Sequence, residues 1–268
     1  MWTAPDDYGA CHALARTAPQ RTEMRTYDPI NVLKAVAGDV WIVDGPIIWM
    51  RMLGLSVPFP TRMTVVRIAD GDLFIHSPTE LTRELKAEID AIGAPRFLVA
   101  PSWLHYSWIP DWKHAFPDAS VFVADGLPDR ARRHFDFEAE PLAGARGYPW
   151  DDSIHTLPAK GRLGTEVIFF HQKSGSLILT DFIENFEPHM IDSAFVRFLT
   201  RVGRVQDPHG GMPRDMRLTY SREALRRIVE TMLAWNPERI ILAHGRWYQK
   251  DAVAELRRAF HWALDRGS

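Results

Sequence analysis

The stretch Val167–Phe186, VIFFHQKSGSLILTDFIENF, decides how this sequence reads. Two apolar runs, Glu166–Phe170 and Leu177–Thr180, flank the turn residues Lys173-Ser174-Gly175. Short apolar runs bounded by turn signals are the mark of buried strands. The second run ends on Asp181. In α/β proteins, ligands bind just beyond the carboxyl ends of such strands.

Outward from this stretch the same pattern returns three times. Leu73-Phe74-Ile75 runs into His76, Phe97–Ala100 into a short loop ending at His105, and Ile240–Ala243 into His244-Gly245. Further strands are expected over Val40–Val43, Met63–Ile68, Asp72–Ile75, Arg96–Ala100, Ser120–Val123 and Arg239–Leu242. The Asp70-Gly71 step between two of them is a hairpin signal. Helical spacing links Leu81, Leu85, Ile89 and Ile92, with Thr79 as N-cap and Gly93 as terminator. Other helices are expected over Asp111–Phe116, Asp129–Phe135, a Ser221-capped segment carrying Leu225, Ile228, Val229 and Met232, and Asp251–Leu264. Helices placed between such strands imply a layered α/β architecture with helices outside mixed sheets.

Composition narrows the function. The 268 residues carry 32 Lys plus Arg against 34 Asp plus Glu, a net charge of −2, which argues against nucleic acid as a partner. Apolar residues are 46% and charged residues 25%, ordinary for a globular chain. The single Cys11 excludes a disulfide framework or a cysteine-rich metal site. No apolar run reaches the roughly 18 residues of a membrane span, so no membrane association is expected and the location reads as cytoplasmic. Residues 1–26 read as a poorly ordered extension and residues 27–268 as one domain.

If the four strand ends lie side by side, three imidazoles and one carboxylate converge. That donor set suits zinc, iron or manganese, and three protein ligands leave a position open for an acidified water. The plainer reading is that Asp181 is a turn or capping residue and that His244-Gly245 is a strand-to-helix turn. Trp103, Tyr106, Trp108 and Trp112 crowd around His105, either as core packing or as the apolar wall of a substrate pocket. Trp49 and Met50 offer a pocket rim or a contact in a homodimer. Gly203–Arg217 reads as a long loop, either solvated or a lid whose arginines pair with an anionic substrate. No phosphate-binding loop and no Gly-x-Ser-x-Gly elbow is present.

The order ADGDLFIHSPTEL (69–81), LVAPSWLHYSWIPDWKHAFPDASVFVADGL (98–127), VIFFHQKSGSLILTDFIENF (167–186) and IILAHG (240–245) resembles a domain family of unknown function within the metallo-β-lactamase-like superfamily. The resemblance covers Tyr27 to Phe260. It implies an αββα sandwich, two mixed sheets flanked by helices, with the site at one edge. Of the superfamily's His-x-His-x-Asp-His loop only the last His is matched, by His105. Ala100, Ser102 and Leu104 stand at the other positions, which argues against a dinuclear site. The later Asp is matched by Asp181 and the final His by His244. The implied site is therefore mononuclear, on His105, Asp181 and His244, with His76 as a fourth ligand or a catalytic acid. The superfamily's middle His has two candidates, His155 and His171. The expected activity is metal-dependent hydrolysis of a small ester, thioester, amide or lactone, with zinc as the metal and iron or manganese as alternatives. A metal-free scaffold binding a small ligand or a partner protein is the second expectation, and a non-haem iron redox protein the third.

Overall fold

Alternation along the strands sorts the apolar side chains of the computed structural model into three layers. The structure describes residues 24–265 except 53, 54, 69, 70, 130, 132 and 134. The first sheet holds seven strands in chain order: β1 (Lys34–Ala37), β2 (Val40–Met52), β3 (Leu55–Arg67), β4 (Asp72–His76), β5 (Ala94–Ala100), β6 (Ser120–Ala124) and β7 (Glu140–Leu142). Strands β1 to β4 form an antiparallel meander, and β4 to β7 run parallel. The second sheet has four strands, β8 (Ile154–Gly161), β9 (Gly164–His171), β10 (Ser176–Leu179) and β11 (Arg239–Leu242), in the order β11-β10-β9-β8. Only β10 and β11 are parallel there.

Period-two patterning explains the layers. Val99, Phe74 and Phe122 of the first sheet meet Val167, Phe169, Ile178 and Ile241 of the second in the central layer. Their neighbours point the other way. Leu73, Ile75, Leu98 and Ala100 pack under α1 (Arg83–Ile92) and α2 (Ile109–Ala115). Ile168, Phe170, Leu177, Leu179, Ile240 and Leu242 pack under α5 (Arg222–Ala234) and α6 (Ala252–Leu264). Trp150 anchors the middle, its ring 4.6 to 5.2 Å from those of Phe122, Phe74, Tyr148 and Phe97. The αββα expectation is met.

Details differ from the sequence reading. Helix α1 is capped by Thr82, whose side chain accepts the Leu85 N–H, not by Thr79. Thr79 is buried; its carbonyl receives the Trp112 Nε1–H and its hydroxyl meets that of Thr61, so the chain stays extended past it. Strands β2 and β3 run 13 residues each, well past the expected Val40–Val43 and Met63–Ile68, because an irregularity between Asp44 and Ile47 absorbs the Gly45-Pro46 step. Residues 1–23, and with them Cys11, lie outside the described residues, as do Ala69 and Asp70 of the expected hairpin turn. The expected helix Asp129–Phe135 lies partly outside them, and its described members are not helical. Within the expected loop Gly203–Arg217 the chain forms a short helix, α4 (Arg214–Arg217), preceded by α3 (Ala194–Gly203).

Strands β4, β5, β10 and β11 share one architecture: each feeds its C-terminal end to the same edge of the sandwich. The two parallel crossovers, β4–α1–β5 and β10 to β11, enforce this. No helix among the described residues is long and apolar enough to cross a membrane.

Candidate metal centre

At that edge His105, Asp181 and His244 converge, with one donor atom from each within 4.8 Å of the others. Asp181 Oδ1 lies 3.3 Å from His105 Nε2 and 3.2 Å from His244 Nε2. Their side chains are 8%, 8% and 2% exposed. These spacings fit a chelate: ligands on bonds of about 2.0–2.1 Å at tetrahedral angles stand roughly 3.3 Å apart.

The tautomers sharpen the test. His244 Nδ1–H donates to the carbonyl of Pro60 at 2.7 Å, and a carbonyl can only accept. The Nε2 of a neutral His244 therefore turns a lone pair on a carboxylate oxygen. Two lone pairs at this distance repel unless a proton or a cation lies between them. With one, every lone pair has a use. His105 Nδ1 shares a 2.8 Å hydrogen bond with the Ser77 hydroxyl, which leaves its Nε2 turned to the same oxygen. Ser77 sits at φ 52°, a left-handed conformation rare for a side-chain-bearing residue, and its N–H is tied to Val99. The strain delivers the hydroxyl to His105. Burial alone would raise the Asp181 pKa, but His105 first and then His244 outweigh it and hold the carboxyl well below its ordinary range.

Several groups that position these ligands were not singled out from sequence. Glu166 on β9 is buried, and its Oε1 accepts the N–H groups of Thr180 and Phe182, bracketing Asp181. Burial, with the Asp181 charge adding, pushes its pKa up to about 7. Arg62 is buried at the edge. Its guanidinium pairs with Asp44 at 2.7 Å and donates to the carbonyls of Leu242 and Gly245, both at 2.7 Å, on either side of His244. Asn185, fully buried, bridges Asp207, Gly210 and the Arg246 carbonyl, tying the 206–211 loop to the His244 turn. A charged residue inside an apolar strand run is the sequence signal that Glu166 and Arg62 share. Phe59 and Phe186 pack on the His244 ring at 5.3 and 6.3 Å.

Other expected residues lie elsewhere. His76 is buried beside Phe169 with neither ring nitrogen hydrogen-bonded, outside the three-donor group. Burial, with His105 adding, pushes its pKa down to about 3. His171 pairs across from Ser176 at the start of β10, at the opposite end of that strand from Asp181, and bonds Ser174. His155 pairs with Phe170 at that same far end and stacks on Trp235. The antiparallel β8–β9–β10 ladder thus carries both away from the centre. Trp103, Tyr106 and Trp108 are half-buried and pack on the core beneath α1 and α2. Trp103 also lines a cavity of about 70 Å³ with Asp125, Gly126, Leu127 and Thr165.

Residues 38–197 match the model of a domain of unknown function, DUF4336. The chain belongs to this family. The match includes His76, His105 and Asp181 of the DUF4336 protein, while His244 lies beyond it. No curated protein sequence matches the chain. Among solved structures it is similar to the DIM-1 metallo-β-lactamase exposed to ceftazidime, at 15% identity over 86% of this chain and 95% of that one, TM-score 0.55. It is also similar to a metallo-β-lactamase from Pontibacter korlensis, at 10% identity over 87% and 99%, TM-score 0.55. A third is the chemotaxis sensor ODP, solved as a peroxy diiron species, at 16% identity over 87% and 94%, TM-score 0.53. These likenesses establish the metallo-β-lactamase fold for the DUF4336 protein.

Proposed function

We propose that this protein is a metal-dependent hydrolase of small ester, thioester, amide or lactone substrates, working from one divalent ion, zinc in the first instance. The observation that carries the reading is the convergence of His105 Nε2, His244 Nε2 and Asp181 Oδ1 on one point, with the His244 Nε2 lone pair turned into it. Bound there, a divalent ion supplies Lewis acidity and lowers the pKa of water. Pro60 fixes the His244 tautomer, and Ser77 orients His105, as partners behind metal ligands commonly do. Phe59 and Phe186 keep water off the His244 ring. Glu166 holds the backbone on both sides of Asp181, so the carboxylate meets the site in one orientation. Ala100, Ser102 and Leu104 offer no second imidazole or carboxylate on the His105 loop, which supports a single ion.

The small exposure of the three donors favours a small substrate. It also favours the second reading, a scaffold that binds a ligand without turning it over. A panel of chromogenic esters, thioesters and lactones separates the two. Zinc-dependent turnover that Asp181→Asn abolishes supports the hydrolase. Stoichiometric metal with no turnover on any of them moves the reading to the scaffold.

A further inference from the structure

Helix α3 (Ala194–Gly203) carries more apolar face than the body of the protein covers. Successive residues advance about 100° around a helix. Taken in order around the axis, the apolar arc reads Val196, Leu199, Phe195, Val202, Phe198, and is then bordered by Arg201 and Arg197. Val196 is buried and Leu199 half-buried against the cluster that contains Val57, Phe59 and Phe186. The rest of the arc is open: Phe195, Phe198 and Val202 are 51%, 60% and 45% exposed. Single exposed apolar residues are ordinary, but a contiguous row on one helix face marks an interaction surface.

The charges beside this row point to its occupant. No acidic residue lies between Ala194 and Arg204. Arg197 donates to the Ile191 and Asp192 carbonyls, and neither Arg201 nor Arg204 is paired with a carboxylate among the described residues. Beyond α3 the short helix α4 carries Arg214, Asp215 and Arg217, and the chain then exposes Leu218. A basic cluster of this size stands out on a chain of net charge −2. A second copy packed about a two-fold axis would set these arginines against their own kind. An anionic lipid surface answers both halves of the face, with acyl chains for the phenylalanines and headgroup phosphates for the guanidiniums.

We propose that α3 is a peripheral docking helix for an anionic phospholipid bilayer, inserting Phe195, Phe198 and Val202 while Arg201 and Arg204 meet headgroup phosphates. This stands whether or not the centre at His105 holds a metal, because it uses none of the same side chains.

The test is co-sedimentation of the full chain with phosphatidylcholine vesicles, with and without phosphatidylserine. Binding is expected to anionic vesicles at about 0.1 M salt and to be lost near 1 M, where screening is short-ranged. Arg201→Gln should cut partitioning about fivefold. The double variant Phe195→Ser/Phe198→Ser should cut it at least about tenfold. Both variants should keep the wild-type melting temperature, since the replaced side chains are exposed. Three results would overturn the proposal. One is wild-type protein left in the supernatant with anionic vesicles at low salt. Another is equal binding to neutral vesicles. The third is a dimer by sedimentation equilibrium that Phe198→Ser dissociates, which would give the face to a second copy.

Discussion

Replacing Arg62 with Met should unfasten His244 without touching any candidate ligand. The Arg62 side chain is 3% exposed and its guanidinium makes four polar contacts, two to Asp44 and one each to the Leu242 and Gly245 carbonyls, while lying over the Tyr27 ring. Met fills much of the volume but leaves the Asp44 carboxylate with Lys34 alone and strands both carbonyls. Breaking one partner of a buried pair costs about 3–5 kcal/mol, and each stranded buried carbonyl about 1–3 kcal/mol. These overlap, and because Lys34 remains, the lower end is expected, on the order of 4 kcal/mol. For a chain of this size that is a fall of roughly 8–16 °C in melting temperature. The freed His244 turn should also weaken zinc binding by about 10- to 100-fold, the usual penalty for losing a supporting contact behind a ligand. Thermal melts and zinc competition with a chelating dye read the two effects separately. Arg62→Lys, which keeps the charge for Asp44 but loses the fork to the carbonyls, should recover much of the stability and little of the affinity. If Arg62→Met melts within about 2 °C of wild type and binds zinc as tightly, the reasoning fails.

Three further outcomes follow from the same geometry. His76 titrates near 3 in the fold against an unperturbed value of 6.5, so the unfolded chain takes up a proton that the folded one refuses. Stability should therefore fall as pH drops from about 6.5 towards 3, with His76 contributing up to about 1.4 kcal/mol per pH unit, and His76→Phe should flatten that slope in urea titrations. Glu166→Gln should stay within about 1 kcal/mol of wild type, because the amide oxygen still accepts from Thr180 and Phe182, whereas Glu166→Ala should lose at least about 2 kcal/mol; equal losses in denaturant melts would contradict the bracing role. Gly245 sits at φ 81° with its missing Cβ position 2.1 Å from the Asn185 carbonyl oxygen, so Gly245→Ala should destabilise by more than about 1 kcal/mol and lower metal occupancy. A fully metallated Gly245→Ala protein with an unchanged melt would argue that the turn is not tightly held.

How much of this was legible in the sequence depends on what each residue needed. The strand ends were readable because Phe74, Val99, Ile178 and Ile241 lie in short apolar runs, and a buried strand must release its next polar residue at its end. His105, Asp181 and His244 came from those ends, and the resemblance chose among them. His155 and His171 show the limit. Each stands in or at the end of a strand, but only the register, Ser176 opposite His171, tells which edge of the sheet it reaches. Thr79 has the chemistry of a cap, yet Thr61 and Trp112 claim it from elsewhere in the chain, and no local pattern carries that information. Glu166 and Arg62 are long-range parts, meaningful only once β9 and β3 have brought them to the backbone they hold.

The most direct test of the account is the metal content of the purified chain by elemental mass spectrometry, for wild type and His105→Ala in parallel. One equivalent of a divalent metal per wild-type chain, lost in the variant while the fold survives by circular dichroism, is the predicted result. No metal in either protein after reconstitution with zinc, iron and manganese would contradict it, and would leave His105, Asp181 and His244 as an ion-paired cluster in a scaffold that binds by other means.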